Sequence, residues 1–330
     1  MSVLVTGGAG FIGSHMVLEL LDAGENVLIL DNLSTGFRWA VPDGVKFVEG
    51  DVGDHDLVSE LLRSNSIDAI LHFAGSIVVP ESIADPLGYY RNNTGNSRSL
   101  IACAVEAKIP NFIFSSTAAV YGMPEVNPVT EEATLAPISP YGSSKLMTET
   151  MLGDTAKAHP LNFVALRYFN VAGADPKGRS GQSSAGATHL IKVASEAALG
   201  MRPHLEVYGT DYETPDGTCI RDYIHVSDLV RAHLDALRYL REGGESVILN
   251  CGYGKGFSVL DVIEAVKRAS GADFAVRYAP RRPGDPAALV ADASRIHDVL
   301  GWEPRLNNLD TIVEGALAWE KRLQEYRAAS

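Results

Sequence analysis

Thr6-Gly7-Gly8-Ala9-Gly10-Phe11-Ile12-Gly13 follows one short apolar run, Val3-Leu4-Val5. It leads into apolar residues at helical spacing over 11–23, which stop at Gly24. Gly8-x-Gly10-x-x-Gly13 satisfies the dinucleotide-binding pattern, and Gly7-x-x-Gly10-x-x-Gly13 a relative of it. Without side chains the backbone turns sharply and approaches a pyrophosphate, and the helix N-terminus behind it supplies N–H groups and partial positive charge. With 31 glycines in the chain the pattern alone is weak. Its flanks decide: a strand before, a helix after, and an acid, Asp31, closing the next apolar run at 26–30. A carboxylate there accepts hydrogen bonds from a ribose hydroxyl pair and repels a 2′-phosphate, which favours NAD over NADP.

Further strands are expected at 45–48, 69–73, 112–114 and 163–166, with helices at 54–63 and 92–106. This alternation predicts an α/β fold, a doubly wound parallel Rossmann sheet covered on both faces. After Asn170 the rhythm breaks. Loops are expected at 176–186 and at 280–286, where three prolines forbid regular helix, and helices at 188–199 and 309–326. The reading is a dinucleotide-binding domain over 1–170 and a smaller α+β substrate lobe over 171–330. A buried strand near 247–250 can return to the main sheet.

The composition, 46% hydrophobic and 21% charged, is that of a globular protein with a full core. A net charge of −13 argues against general nucleic-acid binding and against anionic membranes. Cys103, Cys219 and Cys251 lack metal-ligand spacing and read as reduced thiols. No apolar run reaches the roughly 18 residues of a membrane span. Met1 leads directly into a strand, so no cleaved signal peptide is expected and the cytoplasm is the expected location.

Ser139-Pro140 is a helix start, and it puts Tyr141 and Lys145 on one helical face at i, i+4. A free phenol is a poor base at neutral pH. A nearby ammonium and a positively charged nicotinamide both favour its phenolate and move it toward general-base range. The pair opens the helix after the fifth strand, where a catalytic group meets a nicotinamide. The polar end of that strand, Ser115-Ser116-Thr117, offers a hydroxyl, Thr117 or Ser116, to share a proton with Tyr141. Asp51, after the third strand, is a candidate for the adenine amino group or a turn-former. Phe73-Ala74-Gly75 closes the fourth strand with small residues against which a cofactor can lie. His72 reads as a buried core histidine.

These stretches resemble the extended short-chain dehydrogenase/reductase family, and most closely its UDP-hexose 4-epimerases. The resemblance runs over almost the whole chain. It includes Asp31-Asn32-Leu33, Glu49-Gly50-Asp51, Tyr89-Tyr90-Arg91-Asn92-Asn93, Val120-Tyr121-Gly122 and Leu166-Arg167-Tyr168-Phe169-Asn170. Further on it includes Arg221-Asp222-Tyr223-Ile224-His225-Val226 and Ala279-Pro280-Arg281-Arg282. The resemblance implies a tightly bound NAD, regenerated each turnover. Its contacts would be Gly7, Gly10, Phe11, Ile12, Gly13, Asp31, Asn32, Asp51, Val52, Phe73, Ala74, Gly75, Asn92, Ser115, Tyr141, Lys145 and Tyr168. It implies that Tyr141, Lys145 and Thr117 are catalytic, and that C4 of a UDP-hexose is inverted through a transient 4-keto sugar, interconverting the glucose and galactose forms. Asn170, Arg221 and Arg282 would meet the diphosphate, His189 and Leu190 the uridine side, and Asp285 the uridine ribose. Val207, Tyr208, Thr117 and Tyr141 complete the implied substrate contacts. It also implies a homodimer built on the helix through 92–106 and the one starting at Pro140.

Two positions depart from the family pattern. Ile77 stands where many members carry a Lys near the cofactor pyrophosphate. Leu289, of intermediate bulk, stands where side-chain size limits N-acetylated sugars. Among rivals, the 4,6-dehydratases need an Asp-Glu pair directly after the hydroxyl residue, where this chain has Ala118-Ala119. 4-Epimerisation of a UDP-N-acetylhexosamine or of UDP-glucuronate, decarboxylation of UDP-glucuronate, and a non-catalytic NAD-binding module are the remaining alternatives.

Overall fold

The computed structural model describes residues 1–184, 186–282 and 284–329. Its strands, in chain order, are β1 (Ser2–Thr6), β2 (Asn26–Asp31), β3 (Lys46–Glu49), β4 (Ile67–His72), β5 (Asn111–Thr117), β6 (Asn162–Tyr168), β7 (Asn170–Ala172), β8 (Leu205–Tyr208), β9 (Ile220–His225), β10 (Val247–Cys251), β11 (Gly256–Ser258), β12 (Val276–Ala279) and β13 (Ala288–Leu289).

Seven of these form one parallel sheet in the order β10-β6-β5-β4-β1-β2-β3. The chain enters at β1, winds outward to β3, and returns to β4 on the other side of β1. This reversal opens a crevice beyond the carboxyl ends of β1 and β4, where ligands bind in open α/β sheets.

Successive strand residues point to opposite faces, and both faces are covered. Val3, Val5, Ala69, Leu71 and Ile113 join one core with the helices Phe11–Asp22 and Val226–Arg241. Leu4, Ile70, Phe112 and Phe114 join the other with His55–Ser64, Asn96–Glu106 and Pro140–Ala158. That is why these strands read as unbroken apolar runs. The strand expected near 247–250 does return to the main sheet, with β10 in register beside β6 from Val247↔Val164 to Cys251↔Tyr168.

β7, β9, β11 and β13 form a small second sheet, and β8 pairs with β12. A separate core of Ile191, Leu205, Val207, Val262, Val266 and Ile312 holds the helices Leu190–Ala198, Val259–Ser270 and Leu309–Ala329 around them.

The helix expected over 92–106 begins differently. Residues Tyr90–Gly95 wind as a wider π-helical turn before Asn96–Glu106. The widened turn lets three side chains reach neighbouring elements: Asn92 bonds Ser76 (2.8 Å), Asn93 bonds Ser144 (3.0 Å) and Asn96 bonds Asp51 (2.9 Å). Such turns have no periodicity a sequence reveals. The expected loops at 176–186 and 280–286 each contain one residue, Ala185 and Pro283, outside the described residues. Cys103, Cys219 and Cys251 are buried free thiols. Among the described residues no helix is long and apolar enough to cross a membrane.

Candidate active site

The glycine loop is a close-packed cradle. Gly7 has a φ of +72°, and a Cβ on it would stand 2.6 Å from the Ala74 nitrogen. A Cβ on Gly13 would stand 2.0 Å from the Gly7 carbonyl oxygen. Side chains at either position would push the loop away from the end of β4. Gly10 caps the helix Phe11–Asp22 without a side-chain bond, and no acid stands in its first turn. The N-terminal N–H groups are therefore open to an anion, which fits the pyrophosphate of a dinucleotide. Phe11 and Ile12 pack against the first core.

Asp31 and Asp51 sit at the ends of β2 and β3. The Asp31 carboxylate accepts from the Ala9 N–H (2.9 Å) and the Leu33 N–H (2.8 Å), so it also holds the glycine loop in shape. Asp51 accepts from the Gly53 N–H (2.7 Å), Asn96 (2.9 Å) and Asn32 (3.1 Å). Val52 is buried in the second core. Phe73 continues β4, its N–H bonded to the Thr6 carbonyl (3.0 Å), and its ring lies 4.8 Å from that of His233.

The end of β5 carries the polar cluster. Ser139 caps the helix Pro140–Ala158, its hydroxyl accepting from the Gly142 N–H (3.2 Å). Tyr141 and Lys145 follow, both buried. The Thr117 hydroxyl, which accepts from the Ala119 N–H (3.2 Å), lies close enough to the Tyr141 phenol to act on its ionisation. The Lys145 ammonium donates to the Ser115 carbonyl (3.0 Å) and lies 4.9 Å from the centre of the Phe114 ring. The Ser115 hydroxyl meets the Tyr168 phenol at 2.5 Å. A Cβ added to Gly75 would stand 3.6 Å from the Lys145 ammonium, so the end of β4 and this cluster share one space. Of the two candidate hydroxyls, Thr117 faces Tyr141, whereas Ser116 bonds Glu149.

The electrostatics differ from the sequence expectation in one respect. Burial raises the Tyr141 phenol above its ordinary value, with the Thr117 hydroxyl opposing. Burial pulls the Lys145 ammonium down to about 8, with Glu149 opposing. In the protein alone desolvation is the dominant influence on the phenol and keeps it protonated. His72 is the core histidine expected: it bonds Thr6 (2.7 Å) and Ser97 (2.9 Å), and burial lowers it to about 3.

Three neighbours escaped the sequence reading. Asn93 accepts from the Ser76 N–H (2.7 Å) and donates to the Ser76 carbonyl (2.9 Å) and the Ser144 hydroxyl (3.0 Å), tying the turn after Gly75 to the helix of Tyr141. Glu149 and Arg167 form a buried ion pair of 2.7 Å behind Lys145. Glu149 continues the i, i+4 stripe of Tyr141 and Lys145, a spacing open to inspection, and Arg167 lies inside a quoted motif.

On the second sheet, Asn170 begins β7 two residues after Tyr168, in register with Tyr223 of β9. Arg221, on β9, pairs with Leu289 of β13. Its guanidinium donates to the Pro286 carbonyl (2.8 Å) and lies 3.5 Å from Asp285. The Arg282 guanidinium stacks 3.8 Å from the centre of the Tyr208 ring. His189 meets Gln182 at 2.8 Å just before the helix that Leu190 starts. The Val207 side chain is fully buried in the lobe's own core, so only its backbone is available to a ligand. Ile77 is half exposed.

A glycine cradle at the switch point, an acid closing β2 and a buried Thr–Tyr–Lys cluster make an arrangement suited to a dinucleotide enzyme acting at a carbinol carbon. Residues 3–252 match the NAD dependent epimerase/dehydratase family, and the chain belongs to it. The UDP-glucose 4-epimerase of Azospirillum brasilense is 57% identical over 323 residues, which cover 98% of this chain and 93% of that protein. Among solved structures, UDP-glucose 4-epimerase from Brucella ovis in complex with NAD is 46% identical, with a TM-score of 0.94, covering 96% of this chain and 97% of that one. The Bifidobacterium longum enzyme in complex with NAD+ and UDP is 39% identical, with a TM-score of 0.92, covering 98% of each chain.

Proposed function

We propose that the protein is an isomerase that inverts C4 of a UDP-hexose, interconverting UDP-glucose and UDP-galactose, with NAD retained through each turnover. The observation that carries this reading is the Thr117–Tyr141–Lys145 cluster at the end of β5, behind the glycine cradle.

When bound, NAD supplies the hydride acceptor and donor and, while oxidised, a positive ring. Gly7, Gly10 and Gly13 leave the backbone room for its pyrophosphate, and Asp31 and Asn32 take its ribose. Tyr141 removes the proton from the sugar O4 as C4 is oxidised, and Thr117 bonds that oxygen and orients the phenol. Because burial alone keeps Tyr141 protonated, the phenolate needs positive charge on both sides, and Lys145 is the protein's share of it. Tyr141 returns the proton to O4 after the 4-keto sugar has presented its other face, so the reaction has no net redox change.

Residues 1–170, joined by the segment that includes β10, hold NAD in this reading, and the rest of 171–330 holds UDP. Asn170, Arg221 and Arg282 bond the diphosphate by charge-assisted contacts. His189, Leu190, Asp285, Tyr208 and the Val207 backbone frame the uridine. Ala118 and Ala119 present methyl groups beside Thr117, which neither donate nor accept protons, so dehydration is disfavoured. We also propose a cytoplasmic homodimer. Its interface would use the outer faces of Asn96–Glu106 and Pro140–Ala158, where Arg98, Met147 and Thr150 are exposed.

The test is to mix the purified protein with UDP-galactose and follow the sugar proton signals by NMR. Conversion to UDP-glucose, lost by at least about a hundredfold in Tyr141→Phe with NAD still bound, is expected. A wild type that holds NAD without conversion, or a Tyr141→Phe variant with near-normal rate, overturns the reading.

A further inference from the structure

The end of β5 meets the helix Pro140–Ala158 at three consecutive residues, two of them hydrogen-bonded to it. The Thr117 hydroxyl stands beside Tyr141, the Ser115 carbonyl accepts from Lys145, and the Ser116 hydroxyl donates to Glu149. Tyr141, Lys145 and Glu149 are spaced four apart and share one helical stripe. The third contact differs from the others because it continues into an ion pair. Arg167, beside Ser116 in the β5–β6 register, donates from Nε (3.0 Å) and Nη2 (2.7 Å) to the Glu149 carboxylate. Its Nη1 donates to the Tyr121 phenol (3.0 Å), which donates to Asn250 of β10 (2.7 Å). The side chains of Arg167 and Glu149 are 3% and 2% exposed.

We propose that Glu149 and Arg167 are a positioning pair for the proton-handling cluster, with the Glu149 carboxylate holding Lys145 charged and seated against β5. The proposal rests on the role given to Tyr141 and Lys145 above.

A buried ion pair adds little net stability over apolar side chains of the same volume. Apolar side chains would not, however, place a negative charge one helical turn behind a buried ammonium. Lys145 is faced by Tyr141 and Glu149 from its own helix, and by His72 from β4, whose pKa its charge helps to lower. The Phe114 ring faces it from β5, the Tyr168 phenol lies near it on β6 through Ser115, and Asn93 faces it from the π-helical turn across Gly75. Tyr89, on Pro86–Tyr89, senses Tyr141. Of these groups only Glu149 is an anion. Arg167 fixes that anion by a two-point bond, so the carboxylate stays in place. Burial, which pulls Lys145 toward deprotonation, is thus opposed by a charge the strand pair β5–β6 holds still.

The test is Glu149→Gln, which keeps shape and hydrogen bonding and removes the charge, set against Glu149→Asp, which keeps the charge. The readout is the pH titration of the Lys145 Cε signal in protein made with carbon-13 lysine, assigned by its loss in Lys145→Met. This readout needs no turnover. Glu149→Gln is expected to lower the Lys145 midpoint by about one pH unit, and Glu149→Asp to restore most of it. The alkaline limb of kcat for UDP-galactose should move with the midpoint, while KM stays within about twofold. If Glu149→Gln does not fold, Glu149→Gln combined with Arg167→Gln leaves no unpaired charge and should show a smaller shift of the same sign. Unchanged midpoints in the folded variants, with only thermal stability altered, would overturn the proposal. A wild type that fails to convert UDP-galactose would sink the functional reading instead, with the lysine titration still deciding this one.

Discussion

The Lys145 ammonium donates to the Ser115 carbonyl at 3.0 Å, and the same serine's hydroxyl meets the Tyr168 phenol. One residue of β5 thus joins the helix of Tyr141 to β6. Lys145→Met keeps the buried stem and removes the charge. Turnover should fall at least about a hundredfold, because Tyr141 then loses its cationic neighbour in the protein. The melting temperature should hold or rise, since a buried charge has been removed. Steady-state rates and thermal melts check this. A variant that keeps its rate would separate Lys145 from the chemistry.

Gly13→Ala should lose NAD. The added Cβ would meet the Gly7 carbonyl oxygen at 2.0 Å, a backbone atom that cannot swing aside. The overpacking costs about 1–3 kcal/mol, and the loop that moves to relieve it is the one facing the pyrophosphate. The checks are NAD released on denaturation and the melting temperature. Full NAD content at wild-type stability would contradict the cradle.

The protein should be acid-labile. Burial lowers His15 and His233 to about 4, and His72 and His225 to about 3. Each folded-state pKa lies below its unfolded value, so the unfolded chain binds more protons. That stability is complete above about pH 6.5 and is lost as the pH falls through 5 toward 4. Each histidine removes about 2 kcal/mol between pH 6.5 and 5. Asp222, raised to about 6 by burial, acts in the opposite sense between about pH 6 and 4, and burial raises Glu19 and Asp235 too, but between pH 6.5 and 5 the four histidines dominate. Melting curves from pH 7.5 to 5 should show a drop of roughly 10 °C or more. A flat profile would mean that these rings are already charged, or that they stay neutral when unfolded.

Leu289 should govern the size of sugar accepted. It packs against the buried cluster that includes Ala118, Tyr121 and Phe169, and lies in register with Arg221. Leu289→Ala opens that wall. The ratio of rates on UDP-N-acetylgalactosamine and UDP-galactose should rise several-fold, at a stability cost of about 1–2 kcal/mol for a partly exposed leucine. An unchanged ratio in parallel assays would free Leu289 of the role.

Much of the first domain was legible because a parallel sheet buried on both faces writes its strands as apolar runs, because Gly7 and Gly13 stand where a Cβ would clash, and because Asp31 supplies the acceptor that the glycine loop needs. Tyr141 and Lys145 were legible from their four-residue spacing and the Ser139 cap. The π-helical turn at Tyr90–Gly95 was not, since its extra residue leaves no periodic trace, and the roles of Asn93 and Asn96 depend on it. Glu149 and Arg167 lie 18 residues apart and meet only because β5 and β6 pair in one register. The rise of the Tyr141 phenol was missed because burial, the dominant cause, is a property of the folded chain. In the second lobe, prolines and glycines break the pattern into short strands whose partners are set by long-range pairing.

The contact of Arg221 with Asp285 gives the arginine proposed for the diphosphate a counter-anion from the chain itself. On the proposed reading, entry of UDP would trade one anion for another at Arg221, freeing Asp285. Affinity set by such a swap responds weakly to the overall charge of −13 and strongly to the reach of a single loop.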